Sequence, residues 1–399
     1  MTAIVFNCHY NGLSIIQELG ARGIEVLALD NARSVGTYSR YATFCRCPDP
    51  IVAERDFVQY LLDLAPKFQE KPVLFPTNDH WATAISRYKN ELSQFYIPCV
   101  ADWSTVETII LKRRFYEWAI ARGYPVPKCW TKETVQAIPD TDFPIVAKPE
   151  YRRISSDVQT TGHIAQKMDR LRLTLLETRG QLDRFLVEHE DVLDYLLFTE
   201  YVAGLSDRMY TIGVYANRSF EVMGMFTGRK VRGFPPDIGD CMVGQVEEVP
   251  QNLKDLVKQI CREINYHGIA EFEFKQDAVT DEFKLIEINP RSWSWVGITP
   301  ACGVSLPWIA YADLSGIETV SYTESHLPTG SVKWLRLLED LPNCLVKNRR
   351  AGYPDWSMTL WQWWKSLQAN HLVIAEFTLN DPLPGIYSLY LRVRKLLRR

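Results

Sequence analysis

The stretch that most constrains this 399-residue chain is Phe283-Lys-Leu-Ile-Glu-Ile-Asn-Pro-Arg-Ser-Trp-Ser-Trp295. It begins as a β-strand, and successive side chains of a strand point to opposite faces. Glu287, Asn289 and Arg291 therefore share one face, while the neighbouring isoleucines point into a core. A carboxylate, an amide and a guanidinium in a row suit a site for metal and phosphate, because hard oxygen ligands hold Mg²⁺ and a guanidinium fork pairs phosphate oxygens.

The segment just upstream repeats this pattern. In Gly268-Ile-Ala-Glu-Phe-Glu-Phe-Lys275, Glu271 and Glu273 share one face and two phenylalanines take the other. Residues 276–282 turn the chain, so the two strands can pair antiparallel and bring Glu273 near Glu287. Burying carboxylates without partners costs free energy, and a bound cation relieves that cost. The alternative is an edge hairpin whose charges are solvated.

A strand that carries a Glu, a turn, and then Glu-Ile-Asn-Pro-Arg resembles the metal-binding hairpin of the ATP-grasp enzymes. In that family the two Glu hold two Mg²⁺ on ATP, the Asn binds the second ion, and the Arg contacts the transferred phosphate or the acyl phosphate. The resemblance implies that Glu273, Glu287 and Asn289 bind metal and that Arg291 is catalytic. It also implies ATP and two Mg²⁺ as cofactors, with Mn²⁺ as a substitute.

Composition argues against several other classes of protein. Hydrophobic content of 46%, charged content of 23% and a formal net charge of −3 describe an ordinary soluble globular protein and do not suggest a nucleic-acid binder. The first residues, Met1-Thr-Ala-Ile-Val-Phe-Asn7, lack the features of a signal peptide, and no apolar run reaches membrane-spanning length. Nine cysteines without C-x-x-C spacing favour reduced thiols, so we expect a cytoplasmic protein.

The amino-terminal part alternates between strand and helix patterns. Strands are predicted at 3–7, 25–30 and 72–76 and helices at 11–19, 51–64 and 79–92, which indicates a Rossmann-like parallel sheet. Asp30 ends the second strand, where a dinucleotide ribose would bind. The first turn, however, lacks the G-x-G-x-x-G fingerprint. By the resemblance, this domain contributes to the acceptor site, and the candidates at its strand ends are His9, Gly12, Asn78 and Asp79.

Two lysines match the positions of the nucleotide-phosphate lysines in ATP-grasp enzymes. Lys112 opens a helix that ends at Gly123, and Lys148 ends a short apolar strand. The family then folds a glycine-rich loop over the phosphates, whereas 150–157 contains no glycine. The side chains that could replace this backbone are Arg152, Arg153, Ser155 and Ser156. A long helix is predicted from Lys167 to Val187.

The segment Phe198-Thr-Glu-Tyr-Val-Ala-Gly204 resembles the part of ATP-grasp enzymes that passes the adenine. By position, Glu200 accepts a hydrogen bond from the ribose or adenine, while backbone groups of Tyr201 and Val202 read the purine edge. Asp207 matches a position that orients ligands in relatives. These four residues are therefore predicted to bind ATP.

A cluster of cations follows two further predicted strands. A turn is predicted at Gly228-Arg-Lys-Val-Arg232, facing the phosphates. Such clusters are usually solvated loops. Given the neighbouring motifs, Lys230 and Arg232 are predicted to contact substrate or phosphate.

The character of the chain changes after Val332. Tryptophans crowd at Trp361-x-Trp363-Trp364, and the last residues form an apolar stripe on a helix, with five cations elsewhere. The stripe consists of Ile386, Leu389, Val393, Leu396 and Leu397. A basic amphipathic helix beside tryptophans suits an anionic membrane surface. The alternative, which the sequence slightly favours, is a helix packed on the protein's own body.

The sequence thus predicts an α/β protein of three parts: a Rossmann-like domain at 1–108, an ATP-grasp domain at 109–325 with lobes at 109–200 and 201–325, and an extension at 326–399. The predicted function is that of a carboxylate–amine ligase, which forms an amide through an acyl phosphate and releases ADP and phosphate. A carboxylating or carbamoyl-phosphate-type enzyme and a nucleotide-binding pseudoenzyme stay open. The expected partners are small carboxylates and amines, not nucleic acid; peripheral membrane contact and a homodimer are compatible with the sequence.

Overall fold

The computed structural model describes residues 1–150, 164, 167–168, 170–171, 173–237, 239–318 and 322–397. The chain forms two compact units. The large unit comprises Met1–Val106, Leu205–Glu273 and Asn289–Arg399, and the small unit comprises Glu107–Gly204 and Phe274–Ile288. The mixed α/β class predicted from the sequence is confirmed. Within the described ranges, no helix is both long and apolar enough to cross a bilayer.

The large unit opens with a five-stranded parallel sheet of order β3-β2-β1-β4-β5. Its central strands are buried apolar runs, as in parallel sheets that are covered on both faces. The Rossmann-like prediction is confirmed. The strands are β1 (Ala3–Phe6), β2 (Val26–Asp30), β3 (Ala42–Arg46), β4 (Val73–Phe75) and β5 (Ile97–Pro98). The helices are α1 (Tyr10–Ala21), α2 (Glu54–Leu64), α3 (Asp79–Arg87), α4 (Lys89–Leu92) and α5 (Trp103–Ile110).

Asp30, at the end of β2, is bonded within the fold. Its carboxylate accepts hydrogen bonds from the Cys8 N–H at 2.8 Å and from the Ser34 hydroxyl at 2.7 Å. The carboxylate therefore ties β2 to the turn after β1. This structural role agrees with the sequence argument against a dinucleotide site.

The small unit holds an antiparallel sheet of order β6-β9-β7-β8. Its strands are β6 (Cys129–Trp130), β7 (Ile145–Pro149), β8 (Thr174–Leu176) and β9 (Leu196–Glu200), with helices α6 (Lys112–Ile120) and α7 (Arg179–Glu188). The single helix predicted from Lys167 to Val187 is wrong. Leu176 instead pairs with Ile145 in the sheet, and Thr178 caps α7 by accepting a hydrogen bond from the Gln181 N–H at 3.3 Å.

The third sheet has the order β14-β13-β10-β11-β12-β16-β17, with β15 beside β11. The strands are β10 (Met209–Ala216), β11 (Val222–Phe234), β12 (Asp240–Val246), β13 (Gly268–Gln276), β14 (Phe283–Asn289), β15 (Thr323–Glu324), β16 (Val332–Leu335) and β17 (His371–Ile374). The helices are α8 (Gln251–Glu263), α9 (Leu306–Leu314), α10 (Leu337–Pro342), α11 (Asn348–Arg350), α12 (Leu360–Ser366) and α13 (Leu383–Leu397).

Two glycines of this sheet let the chain fold back after β14. A Cβ at Gly213 would overlap the ring of Trp293, and a Cβ at Gly244 would overlap the ring of Trp295. Both tryptophans are fully buried and pack edge to face, with ring centroids 6.4 Å apart. Because these rings lie directly on the strands, the preceding Arg291 is held close to the sheet.

Candidate active site

Glu271, on β13, lies at the centre of a hydrogen-bonded chain in the large unit. Its buried carboxylate accepts hydrogen bonds from the Thr211 hydroxyl at 3.1 Å and from Asn289 Nδ2 at 2.9 Å. The oxygen of the Asn289 amide accepts a hydrogen bond from Arg291 Nη2 at 2.9 Å. The amide therefore has a defined orientation, with its nitrogen toward Glu271 and its oxygen toward Arg291.

Arg291 is also bonded to the amino-terminal sheet region. Its Nε donates to Asp79 Oδ1 at 2.9 Å, and its Nη1 donates to the Ser292 carbonyl at 3.0 Å. With the Asn289 bond, these contacts occupy three of the five N–H donors of a guanidinium. Asp79, one of the four candidates at the strand ends, thus positions the predicted catalytic arginine.

The other three candidates have different surroundings. Asn78 caps α3, because its side chain accepts a hydrogen bond from the Trp81 N–H at 3.1 Å. Gly12 packs closely, since a Cβ there would lie 3.0 Å from the Asn7 carbonyl oxygen. His9 is exposed ahead of α1 and makes no side-chain capping bond.

Glu273 forms a loose ion pair with Lys230. The Lys230 ammonium lies 3.4 and 3.5 Å from the two carboxylate oxygens, and both side chains are about nine-tenths buried, with relative exposures of 10% and 13%. Burial of Glu271, and secondarily the nearby Glu273, raise the pKa of Glu271 to about 8. One ammonium therefore does not fully offset two neighbouring carboxylates.

This oxygen-rich group fits a hard divalent cation. Mg²⁺ typically uses one or two carboxylates together with substrate phosphates, not an all-protein cage. Accordingly, no three His, Cys, Asp or Glu side chains in the described part of the chain form a ready-made metal cluster. In the large unit, the residues that could hold Mg²⁺ are Glu273 and Asn289, as predicted from their strand positions.

Arg232 requires a correction. The predicted turn at Gly228–Arg232 is part of β11, a 13-residue strand paired with β10 and β12. The guanidinium forms a bidentate pair with Asp340 at 2.8 and 3.0 Å, and relative exposures are only 3% and 1%. Its Nη1 also donates to the Ser366 hydroxyl at 2.7 Å. The prediction of a phosphate contact is wrong for this residue, because its charge is neutralised inside the protein.

In the small unit, Tyr116 positions Lys148. The Lys148 ammonium donates to the Tyr116 hydroxyl at 3.0 Å, and that hydroxyl donates to the Ile286 carbonyl at 2.8 Å. Burial, and then the nearby Lys112, lower the pKa of Lys148 to about 7, while Glu287 acts in the opposite direction. Three predicted site residues, Lys112, Lys148 and Glu287, are therefore close enough to influence one another.

Comparison with known proteins found similar chains. No family model matches the chain. The D-aspartate ligase of Enterococcus faecium (strain Aus0004) is 27% identical over 251 residues, which are 59% of this chain and 58% of that protein. The carbamoyl phosphate synthase large chain of Methanobrevibacter smithii is 24% identical over 200 residues, which are 48% of this chain and 18% of that protein. The chain thus spans less than two thirds of the length of either relative.

Solved structures show the same fold. N5-carboxyaminoimidazole synthetase from Staphylococcus aureus, complexed with ADP, superposes with a TM-score of 0.61 at 13% identity, covering 88% of this chain and 86% of that one. A biotin carboxylase domain of the Hydrogenobacter thermophilus 2-oxoglutarate carboxylase, with MgADP and bicarbonate, gives a TM-score of 0.58 at 16% identity, covering 81% and 72%. At these identities, the likeness shows that this chain shares the fold of these two enzymes.

The predicted adenine segment has mixed surroundings. Glu200 Oε2 accepts a hydrogen bond from the Lys128 N–H at 3.0 Å, so one of its oxygens is bonded within the small unit. The Tyr201 N–H lies 3.4 Å from the Pro144 carbonyl. The Val202 backbone makes no hydrogen bond with another described residue. In the large unit, the backbone carbonyl of Asp207 accepts a hydrogen bond from Arg229 at 2.9 Å.

The sequence pattern did not identify two residues that contact predicted site residues, Tyr116 in the small unit and Glu271 in the large unit. Tyr116 lies four residues after Lys112 on α6, and residues at that spacing share a helix face, which was an available signal. Glu271 was placed on the correct strand face but was given no role. The proposed replacements for the glycine-rich loop, Arg152, Arg153, Ser155 and Ser156, lie outside the described residues.

Proposed function

We propose that this chain is an ATP-dependent carboxylate–amine ligase. The observation that carries the proposal is the chain of contacts from Glu271 through Asn289 and Arg291 to Asp79, beside the Lys230–Glu273 pair. It fixes an arginine and a lysine next to oxygen ligands on one face of a sheet. Fixed cations beside oxygen ligands stabilise a phosphoryl group during transfer, because such transfer depends on positioning and electrostatics.

The residues predicted to bind metal, ATP or the phosphoryl group, apart from Arg232, have the following roles in the proposed reaction. When bound, Mg²⁺ would neutralise the phosphate charge, and the residues that would hold it are Glu273, Glu287 and Asn289. Lys112 and Lys148 bind the phosphates that are not transferred. Glu200, the backbone of Tyr201 and Val202, and Asp207 bind the nucleoside part. Arg291 and Lys230 contact the transferred phosphoryl group.

The reaction has two bond-making steps. A substrate carboxylate oxygen attacks the γ-phosphorus, the bond to the β-phosphate oxygen breaks, and ADP leaves. An amine then attacks the carbonyl carbon of the acyl phosphate; the C–O bond to phosphate breaks and the amine loses a proton. The products are an amide, ADP and phosphate. Arg291 serves both steps, because its guanidinium can pair with the phosphate while it is transferred and while it departs.

An activity screen tests this proposal. The full chain is incubated with Mg²⁺ and ATP and with pairs of carboxylates and amino acids, and ADP release and amide mass are measured. D-aspartate belongs in the screen because a relative is named a D-aspartate ligase. ADP release that requires both a carboxylate and an amine, with a new amide mass, is expected. Nucleotide binding without any ADP release would support a pseudoenzyme.

Three variants separate catalysis from folding at the hairpin. Glu287→Gln and Arg291→Lys should lower turnover by orders of magnitude with little change in melting temperature, because an amide cannot balance divalent ions and an ammonium lacks the bidentate fork. Ile288→Ala removes a buried side chain and should mainly lower stability. Near-normal turnover in Glu287→Gln would contradict the assignment.

A carboxylating activity is the second candidate. The biotin carboxylase domain that shares the fold was solved with bicarbonate. Bicarbonate in place of the organic carboxylate therefore forms a separate arm of the screen. ADP release that depends on bicarbonate alone would favour this candidate over the ligase.

We place the reaction in the cytoplasm, where ATP, amino acids and carboxylates occur together. The proposed partners are small molecules, and peripheral attachment to an anionic membrane through the carboxy-terminal segment is part of the same proposal. Fractionation of cells that express the full chain tests the location. Recovery only in a membrane fraction that resists high salt would contradict peripheral attachment.

A further inference from the structure

The helix α13 is attached to the large unit by a defined side. Tyr387 stacks on Tyr38, with ring centroids 4.0 Å apart and an interplanar angle of 26°. Arg392 pairs with Glu339 at 2.7 Å. Ser388, between these two residues on the same side, is buried. The side of α13 that faces the protein is therefore held by ring stacking and an ion pair.

The segment before α13 also fixes the rotation of the helix about its own axis. Asp381 is fully buried, and its carboxylate accepts hydrogen bonds from the Ser39 hydroxyl at 2.6 Å and the Arg40 N–H at 2.9 Å. Gly385 lets the first turn approach the Phe377 ring, which a Cβ would overlap. Because the helix is held at its start and along one side, its other side has a fixed direction.

That other side of α13 is apolar and exposed. Its residues recur at alternating spacings of three and four, which places them on one helix face. They are Leu383 (51% exposed), Ile386 (57%), Tyr390 (55%), Val393 (46%) and Leu397 (82%). An amphipathic helix of a globular protein normally buries this face. Packing on the protein's own body, which the sequence slightly favoured, therefore leaves exposed a face that shares Ile386, Val393 and Leu397 with the predicted stripe.

A neighbouring part of the chain has the same character. On α12, Trp363 is buried and donates from Nε1 to Asp340 at 2.7 Å. The tryptophans on either side of its sequence position behave differently: Trp361 is 64% exposed and Trp364 is 58% exposed, and Leu360 is 60% exposed. Tryptophan side chains of this kind suit the boundary between water and lipid, where an apolar ring and a polar N–H are both satisfied.

The positive charge of the carboxy-terminal segment favours an anionic partner for this surface. Residues 332–399 contain eleven Lys and Arg against five Asp and Glu, although the whole chain has a net charge of −3. On α13 the cations are Arg392, Arg394 and Lys395, and the helix has no acidic residue. A basic helix with an exposed apolar face binds a bilayer that contains anionic lipids, lying in the interface plane.

We infer that the exposed face of α13, together with Trp361 and Trp364, is a docking surface for an anionic lipid bilayer. The helix inserts its apolar stripe among the acyl chains near the headgroups, while Arg394 and Lys395 pair with lipid phosphates. This inference rests on the peripheral attachment proposed above, and vesicle binding can be measured independently of the ligase activity.

Vesicle sedimentation of the full chain tests the inference. Vesicles of phosphatidylcholine alone are compared with vesicles that also contain phosphatidylglycerol, at low and high salt. Binding should require phosphatidylglycerol and weaken at high salt. Ile386→Glu with Val393→Glu should abolish binding. Arg394→Gln with Lys395→Gln should weaken it by roughly thirtyfold, because each cation near an anionic surface contributes about fivefold.

A matched control separates this surface from general hydrophobicity. Val52→Glu with Val187→Glu adds the same charge at valines that are 82% and 80% exposed elsewhere, and vesicle binding should stay unchanged. Melting temperature reports whether each variant is folded. Tryptophan emission of the full chain should shift to shorter wavelength on binding, and Trp361→Phe with Trp364→Phe should remove that shift.

Three results would overturn the inference. The first is the absence of binding to anionic vesicles at low salt. The second is equal, salt-independent binding to neutral vesicles. The third is a concentration-dependent dimer that the Ile386 and Val393 substitutions dissociate, without any vesicle binding, because the face would then be covered by a second copy of the chain.

Discussion

Two cations on β11 lie two residues apart and have opposite surroundings. Arg232 is buried in a bidentate pair with Asp340, whose carboxylate also accepts a hydrogen bond from Trp363. Lys230 meets Glu273 only at 3.4 to 3.5 Å, beside a second carboxylate. A closed, fully bonded ion pair specifies a fold, whereas a loose pair in an acidic group can exchange partners with a ligand. The same sequence cluster therefore contains one structural cation and one cation that we propose to be functional.

The largest expected effect concerns the loose pair. Glu273→Gln should lower ADP formation by orders of magnitude, because the Mg²⁺ that would accompany the transferred phosphoryl group loses a charged oxygen ligand. The melting temperature should change little, since the amide can still occupy the position beside Lys230. Steady-state ADP formation and thermal unfolding are measured on the same preparations. Turnover within threefold of the unsubstituted chain would remove Glu273 from the site.

Breaking the closed Arg232–Asp340 pair should lower the stability of the fold. Asp340→Ala leaves the Arg232 charge buried without its partner, and breaking such a pair costs about 3–5 kcal/mol of the free energy of unfolding. Denaturant unfolding measures this loss. Asp355→Ala, an exposed aspartate in the same segment, is the matched control and should stay within about 0.5 kcal/mol. Replacing both partners, as Arg232→Met with Asp340→Leu, should recover most of the loss.

In the small unit, the lowered pKa of Lys148 predicts that ATP affinity depends on pH. Its pKa of about 7 means that the ammonium loses its charge as pH rises through neutrality. ATP affinity should therefore fall by up to about fivefold between pH 7 and 8. In Lys148→Arg, which stays charged, the profile should be flat. Isothermal titration at each pH measures the affinity, and a flat profile in the unsubstituted chain would contradict a role for Lys148.

The same lysine should oppose folding at low pH. Its folded pKa of about 7 lies below the ordinary 10.5, so the unfolded chain binds the proton more tightly. The resulting loss of stability is fully present below pH 7 and disappears as pH rises toward 10.5. Lys148→Met should thus raise the free energy of unfolding at pH 6, on the order of 1 kcal/mol, and have less effect at pH 10.

The smallest expected effect is the change in the free energy of unfolding when Lys230 is replaced. Lys230→Met should change the free energy of unfolding by less than about 1 kcal/mol, since the pair is long and the remaining carboxylates can take up protons. ADP formation should nevertheless fall strongly. A stability loss as large as that of Asp340→Ala would mean that the two cations of β11 are equivalent after all. Urea midpoints of the two variants give this comparison directly.

Much of the site could be predicted from local pattern. Strand alternation predicted that Glu271 and Glu273 share one face of a strand and that Asn289 and Arg291 share the polar face of the next. In the structure, Asn289 bonds to both Glu271 and Arg291. The turn predicted at Gly228–Arg232 was wrong because glycine and charge usually signal a loop. Here strands on both sides supply backbone partners, so the segment stays extended. The predicted helix from Lys167 to Val187 was wrong for a similar reason. The strand β8 within it pairs with β7, and a local sequence pattern does not reveal that pairing.

By itself, the sequence determined the elements whose signals are local: the parallel sheet from alternating strand and helix patterns, the polar faces of β13 and β14, and the amphipathic α13. The tertiary structure alone decided partners that are distant along the chain. Arg291 meets Asp79 across 212 positions, and Arg232 meets Asp340 across 108. It also decided that the apolar stripe of α13 faces outward. Spacing along a chain encodes which side chains share a face, but the packing of other segments decides what that face meets.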